Sequence, residues 1–217
     1  SGPQYGGILR CIRGTFPKVL GYAPEFSPTD STFAQPYAEM LLKWDDGSGE
    51  LVPELAKSWE EDAENLTITY YLQEGVQFHD GTPFNAEAVK WNFEQALDTN
   101  TLKDGDYVES FEVIDEYTFR IHITEYTTQL LFNYGWSYFF SPAAFEKAGD
   151  GDVEKSIEWA RSNAVGTGPF ILADFQRDNI IRYEKNENYW REETPYLDEI
   201  EIRFIPDNMT AKATMQA

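Results

Sequence analysis

Cysteine, histidine and basic residues are all scarce in this chain. Cys11 is the single cysteine among 217 residues, so no disulfide closes within the chain. Two histidines, His79 and His122, stand 43 positions apart, and neither has a second His or Cys at the short spacing of a zinc site. Lys and Arg number 17 against 38 Asp and Glu, giving a net charge of −21. Such an acidic surface repels phosphate backbones, which excludes nucleic acid as a partner. No apolar run approaches the ~18 residues that a membrane-spanning helix needs. Nor does a basic segment followed by an apolar one open the chain at Ser1, so an export signal is expected to be already removed or not included. Aromatic residues, by contrast, are abundant, at 16% of the chain. Rings at that density serve a packed core, the wall of a ligand cleft, or both.

Local patterns outline a mixed α/β chain. Gly6 to Gly14 reads as an opening strand with Cys11 buried in it, followed by a long irregular stretch over 15–32 rich in Pro, Gly and rings. Phe33, Tyr37, Met40 and Leu41 share one face of an expected helix whose first turn holds Pro36. Asp45 to Gly49 forms a turn cluster. Alternation at Leu66, Ile68, Tyr70 and Leu72, and again at Phe119, Ile121 and Ile123, marks strands with one buried face. Val108 to Ile114 joins the second of these through a turn at Asp115-Glu116, as a hairpin. Asn85, Ser141 and Asp152 are placed to cap helices, the last with Val153, Ile157 and Ala160 on its inner face. Strand character returns over 170–175, 180–183 and 200–205, and Met209 to Ala217 is helical sequence that stops without a terminating signal. The expectation from that ending is a fragment cut within a helix.

Reaction motifs are missing. His79-Asp80-Gly81-Thr82 lacks the aspartate two positions before Asp80 that a phosphatase of the Asp-x-Asp-Gly-Thr kind uses; Phe78 stands there, and Asp80-Gly81 reads as a turn into the helix at Asn85. Asp104-Gly105-Asp106 is too short for a calcium loop. No Gly-x-Ser-x-Gly elbow occurs, and Gly166-Thr167-Gly168 has neither the third glycine nor the Lys-Ser/Thr of a phosphate loop. The ring-rich run from Asn133 to Phe140 suits a core or a cleft. No catalytic residue, metal ligand or cofactor is therefore expected.

Several longer stretches resemble one family. Leu72-Gln-Glu-Gly-Val-Gln-Phe-His-Asp-Gly-Thr-Pro-Phe-Asn-Ala-Glu-Ala-Val89 is similar to the signature of the family 5 extracellular solute-binding proteins, the dipeptide, oligopeptide and nickel-type binding proteins of ABC importers. Leu51 to Trp59, Gly166-Thr-Gly-Pro-Phe170, Tyr183 to Trp190 and Pro195-Tyr-Leu-Asp198 resemble further family landmarks in order and spacing. The usual Leu-Asp-Pro of the first loop is replaced by Phe26-Ser27-Pro28. The resemblance implies a periplasmic-binding-protein-like type II fold and, within it, the N-terminal lobe. In that lobe residues 1–48 and 164–217 form a mixed-sheet subdomain, 49–163 an inserted β-rich one, and the C-terminal lobe is absent.

The same resemblance implies a non-enzymatic monomer, periplasmic or extracellular, free or lipid-anchored. It would capture a small ligand for an ABC permease, a peptide first and an oligosaccharide as the alternative. A glycoside or peptide hydrolase is the alternative of another class. By analogy, ligand contacts come from the loop after the first strand, Phe16 and Tyr22, and from the segment before the Ser141 helix, Trp136 and Tyr138.

Overall fold

The computed structural model describes residues 2–45 and 47–216. Ser1, Asp46 of the turn cluster and Ala217 of the terminal helix, on which parts of the sequence reading fall, lie outside them. Three sheets organise the described residues. The first has the order β1-β10-β9-β8 and combines β1 (Ile8–Arg13) with β8 (Phe170–Gln176), β9 (Ile180–Lys185) and β10 (Glu199–Phe204). β1 runs parallel to β10, with Cys11 opposite Ile202, and the remaining pairs are antiparallel. A second four-stranded sheet, order β4-β5-β7-β6, is antiparallel throughout and uses β4 (Ala56–Asp62), β5 (Thr67–Leu72), β6 (Val108–Asp115) and β7 (Thr118–Ile123). The third is a small ribbon of β2 (Leu42–Trp44) and β3 (Leu51–Pro53).

Helix ends follow their local chemistry. Asn85 Oδ1 accepts the Ala88 N–H at 3.0 Å and starts α2 (Ala86–Asp98). Ser141 Oγ accepts the Ala144 N–H at the head of α4 (Pro142–Gly149), and Asp152 caps α5 (Val153–Ala160). The other α-helices among the described residues are α1 (Pro28–Ala34), α3 (Gln129–Gly135) and α6 (Asn208–Gln216).

Three expectations are corrected. The first helix is not centred on 33–41; α1 spans Pro28–Ala34. Ser27 and Asp30 form a reciprocal capping box with Pro28 at the first helical position, which fixes the start earlier. Pro36, without an N–H, cannot extend the helical ladder, so Phe33, Tyr37 and Leu41 are buried from a helix, a turn and a bend in succession. Val153 is 60% exposed, and Ser156 takes its place on the inner face with Ile157 and Ala160. There Gly149 of α4 lies so close that a Cβ on it would meet Ser156 Oγ and sit 3.2 Å from Ser156 N. Finally, Cys11 is only partly buried and most of β1 is exposed, because β1 is an outer strand of its sheet among the described residues.

Two cores result. Ile68, Tyr70, Val89, Phe93, Phe119 and Ile121 belong to the one between α2 and the antiparallel sheet. Leu20, Phe33, Tyr37, Ile181 and Tyr183 belong to the other, beside the mixed sheet. They meet at Gly166-Thr167-Gly168, which lies directly on the backbone of Pro36 and Tyr37. A Cβ on Gly168 would fall 2.6 Å from the Tyr37 carbonyl carbon, and one on Gly166 2.9 Å from the same atom. From the other side, the His79 N–H donates to Gly166 O at 2.8 Å, and His79 Nε2 donates to Gly168 O at 2.9 Å. Burial holds the imidazole below its usual pKa, consistent with a neutral ring in that bond.

Candidate functional site

A pocket of about 680 Å³ with a largely apolar lining lies between α1, α2 and α3. Its first side comes from the stretch before α1. Asp30 is 1% exposed, and its carboxylate accepts the N–H groups of Lys18 (2.7 Å) and Val19 (3.2 Å) as well as the N–H and hydroxyl of Ser27. Burial pushes this carboxyl up, but the four donors outweigh it and hold it below the usual range. One ionised side chain thus ties residues 18–19 to the turn at Ser27 and presents Phe26 and Pro28 to the pocket.

The second side is the segment after α3. Met40 pairs with Tyr138 in an antiparallel bridge, and the Tyr138 hydroxyl donates to Ser31 O at 3.0 Å. Burial, aided by the Glu54 charge, pushes that phenol up to about 12, so it stays a donor at any physiological pH. Asn92 of α2 clasps the backbone next to it: its Nδ2 donates to Phe140 O at 2.9 Å and its Oδ1 accepts the Phe140 N–H at 3.1 Å. Trp136, at the C-terminal end of α3, is 48% exposed at the rim. Lys103 is the charged side chain of the lining, on a loop that Asp104 anchors by accepting from Asn133 Nδ2.

The four residues expected from sequence separate into two groups. Trp136 and Tyr138 line this pocket together. Phe16 does not; its ring stacks on Phe175 at 5.5 Å and packs against Phe33 and Phe204. Tyr22 is 5% exposed and stacks on Phe145 at 5.5 Å, away from the pocket. Sequence reasoning passed over Phe26, Met40, Asn92 and Lys103. Phe26 lay within the departure from the family's first-loop pattern, whereas Asn92 left no signal beyond a polar residue in the α2 stripe.

Comparison with known proteins places the chain. Residues 50–217 match the bacterial extracellular solute-binding proteins, family 5 Middle, and the chain belongs to that family. It is 32% identical over 222 residues to heme-binding protein A of Haemophilus influenzae, covering 91% of this chain and 40% of that protein. Against the glutathione-binding protein GsiB of Escherichia coli it is 34% identical over 168 residues, 75% of this chain and 31% of that one. Among solved structures, the ABC transporter-associated periplasmic binding protein DppA of Helicobacter pylori, in complex with the peptide STSA, superposes with a TM-score of 0.86. That match has 25% identity and covers 98% of this chain and 45% of that one. The chain thus spans less than half the length of each of these proteins.

Proposed function

We propose that this chain supplies one wall of the ligand site in an extracellular binding protein that feeds an ABC importer, and that the ligand is a peptide. The observation that carries this reading is the pocket itself: an apolar basin of about 680 Å³ with Trp136, Tyr138, Phe26 and Met40 on its walls and one cation, Lys103. Apolar walls with a few polar anchors suit side chains of mixed size, and Lys103 offers a partner to a carboxylate. The family, and a peptide-bound structure of the same fold, support the choice. Trp136 and Tyr138 are retained as ligand contacts, joined by Phe26 and Met40; Phe16 and Tyr22 are set aside as packing rings.

The pairing of β1 with β10 supports taking residues 1–48 and 164–217 as one subdomain, and the closed set β4–β7 supports 49–163 as the second. Ligand capture would then proceed by closure of a second lobe over this wall, followed by hand-over to a permease. The reading is tested with the intact protein by thermal denaturation against tetrapeptides and against cello- and xylo-oligosaccharides. Peptides at 100 times Kd are expected to add about 2.7 kcal/mol, a clear rise in Tm. A rise with the saccharides and none with the peptides would replace the peptide by the sugar.

A further inference from the structure

Trp44 is 45% exposed and stands outside the pocket, yet its ring centroid lies 5.4 Å from that of Phe132, which in turn lies 4.6 Å from Trp136. Phe132 and Trp136 are neighbours one helical turn apart on α3, and both line the pocket. Trp44 ends β2, so the three rings form a continuous row from the pocket rim onto the β2–β3 ribbon. The row depends on how closely α3 lies on β2. Gly135 makes that approach possible, since a Cβ there would fall 2.7 Å from Leu42 Cδ1. Both tryptophans leave nearly half their surface to water, although indoles are the side chains with most to gain from being covered.

We infer that the Trp136–Phe132–Trp44 row is an outer subsite of the pocket that takes an aromatic side chain of a peptide longer than the pocket holds. Three features select that occupant. The row is continuous with the pocket, so whatever it binds can belong to the same ligand. Its rings meet at interplanar angles of 44° and 49°, leaving tilted faces that suit offset or edge-on contact with another ring. And Lys103, in the pocket lining, brings positive charge to the cavity from which the row extends, in a chain of net charge −21, which favours a ligand with a free carboxylate. The inference rests on the peptide reading of the pocket.

The test is calorimetric titration of the intact protein with tetra-alanine and with the four tetrapeptides that carry one Phe in place of Ala. One of the four is expected to bind about five- to tenfold tighter than tetra-alanine, a ratio in keeping with an added aromatic pair. In W44A that ratio is expected to fall to near one, while W44F keeps most of it. Both variants are checked by thermal denaturation, which a half-exposed position should leave close to the parent. A ratio that survives W44A, or no Phe preference among peptides that do bind, overturns the subsite and leaves the peptide reading standing. Failure of every peptide to bind removes both. Indole emission gives an independent reading: the Trp44 contribution, taken as parent minus W44F, should shift on adding the preferred peptide. An unchanged contribution means that something other than ligand covers the row, and overturns the inference.

Discussion

Replacing Glu39 by alanine is expected to lower the unfolding free energy by about 3 kcal/mol or more, while Glu39→Gln stays within about 1 kcal/mol of the parent. Glu39 is 4% exposed, and among the described residues no cation pairs with it. Its carboxylate accepts instead from Thr167 Oγ1 (2.9 Å), Trp190 Nε1 (2.9 Å) and Tyr189 Oη (2.7 Å). Alanine leaves three donors facing a cavity, each carrying its own desolvation cost. Glutamine keeps an oxygen for Thr167 and Trp190, and the Tyr189 hydroxyl can turn to accept from its amide.

The pH dependence gives the same site a second signature. Burial raises the Glu39 carboxyl above its ordinary value of 4.5, and the neighbouring Glu54 charge adds to this against the three donors. Above 4.5 the unfolded chain has lost a proton that the folded chain still holds, so this site's contribution to stability falls as pH rises towards the folded pKa, then levels off. The parent should therefore lose stability relative to Glu39→Gln as pH climbs from 4.5. Chemical denaturation at a series of pH values measures that difference directly. Asp30, whose pKa is shifted the other way, is common to both proteins and cancels from the comparison.

Gly166→Ala is expected to cost about 3 kcal/mol, a fall in Tm of about 6–12 °C for a chain of this size. The new methyl group would clash with the Tyr37 carbonyl oxygen and fall 3.0 Å from Ala38 Cα, and both are backbone atoms that no rotamer change can move aside. Gly14 has open space at its Cβ position and an ordinary φ, so Gly14→Ala is the matched control with little or no change expected. A small effect at Gly166 would mean that the two cores can part at this crossing without loss.

What could be read from the sequence was what is local. Asn85, Ser141 and Asp152 act within three residues of themselves, and the alternation of β7 reports its burial directly, whereas β5 buries Thr67 and Thr69 as well as its apolar residues. The first helix was misplaced because Phe33, Tyr37 and Leu41 are buried at helical spacing by three different conformations, while the capping box at Ser27 gave the true start. The partners of Glu39 lie 128, 150 and 151 positions away, so nothing nearby distinguishes it from the many exposed acids. Rings pose the same difficulty. Phe16 and Trp136 look alike as candidates, and only the distant Phe175 and Phe204 turn Phe16 into core.

The parallel pairing of β1 with β10 also constrains the order of events during synthesis. Gly7, beside β1, has its hydrogen-bond partner Asp198 at a separation of 191 positions. A ribosome releasing residues in sequence completes β4 to β7 long before β10 exists, so the antiparallel sheet can close while β1 still waits for its pairing strand. Pulse-labelled hydrogen exchange during refolding should find the β5 and β7 amides protected ahead of those in β1. Protection of β1 first would show instead that the ends of the chain meet before the middle has folded.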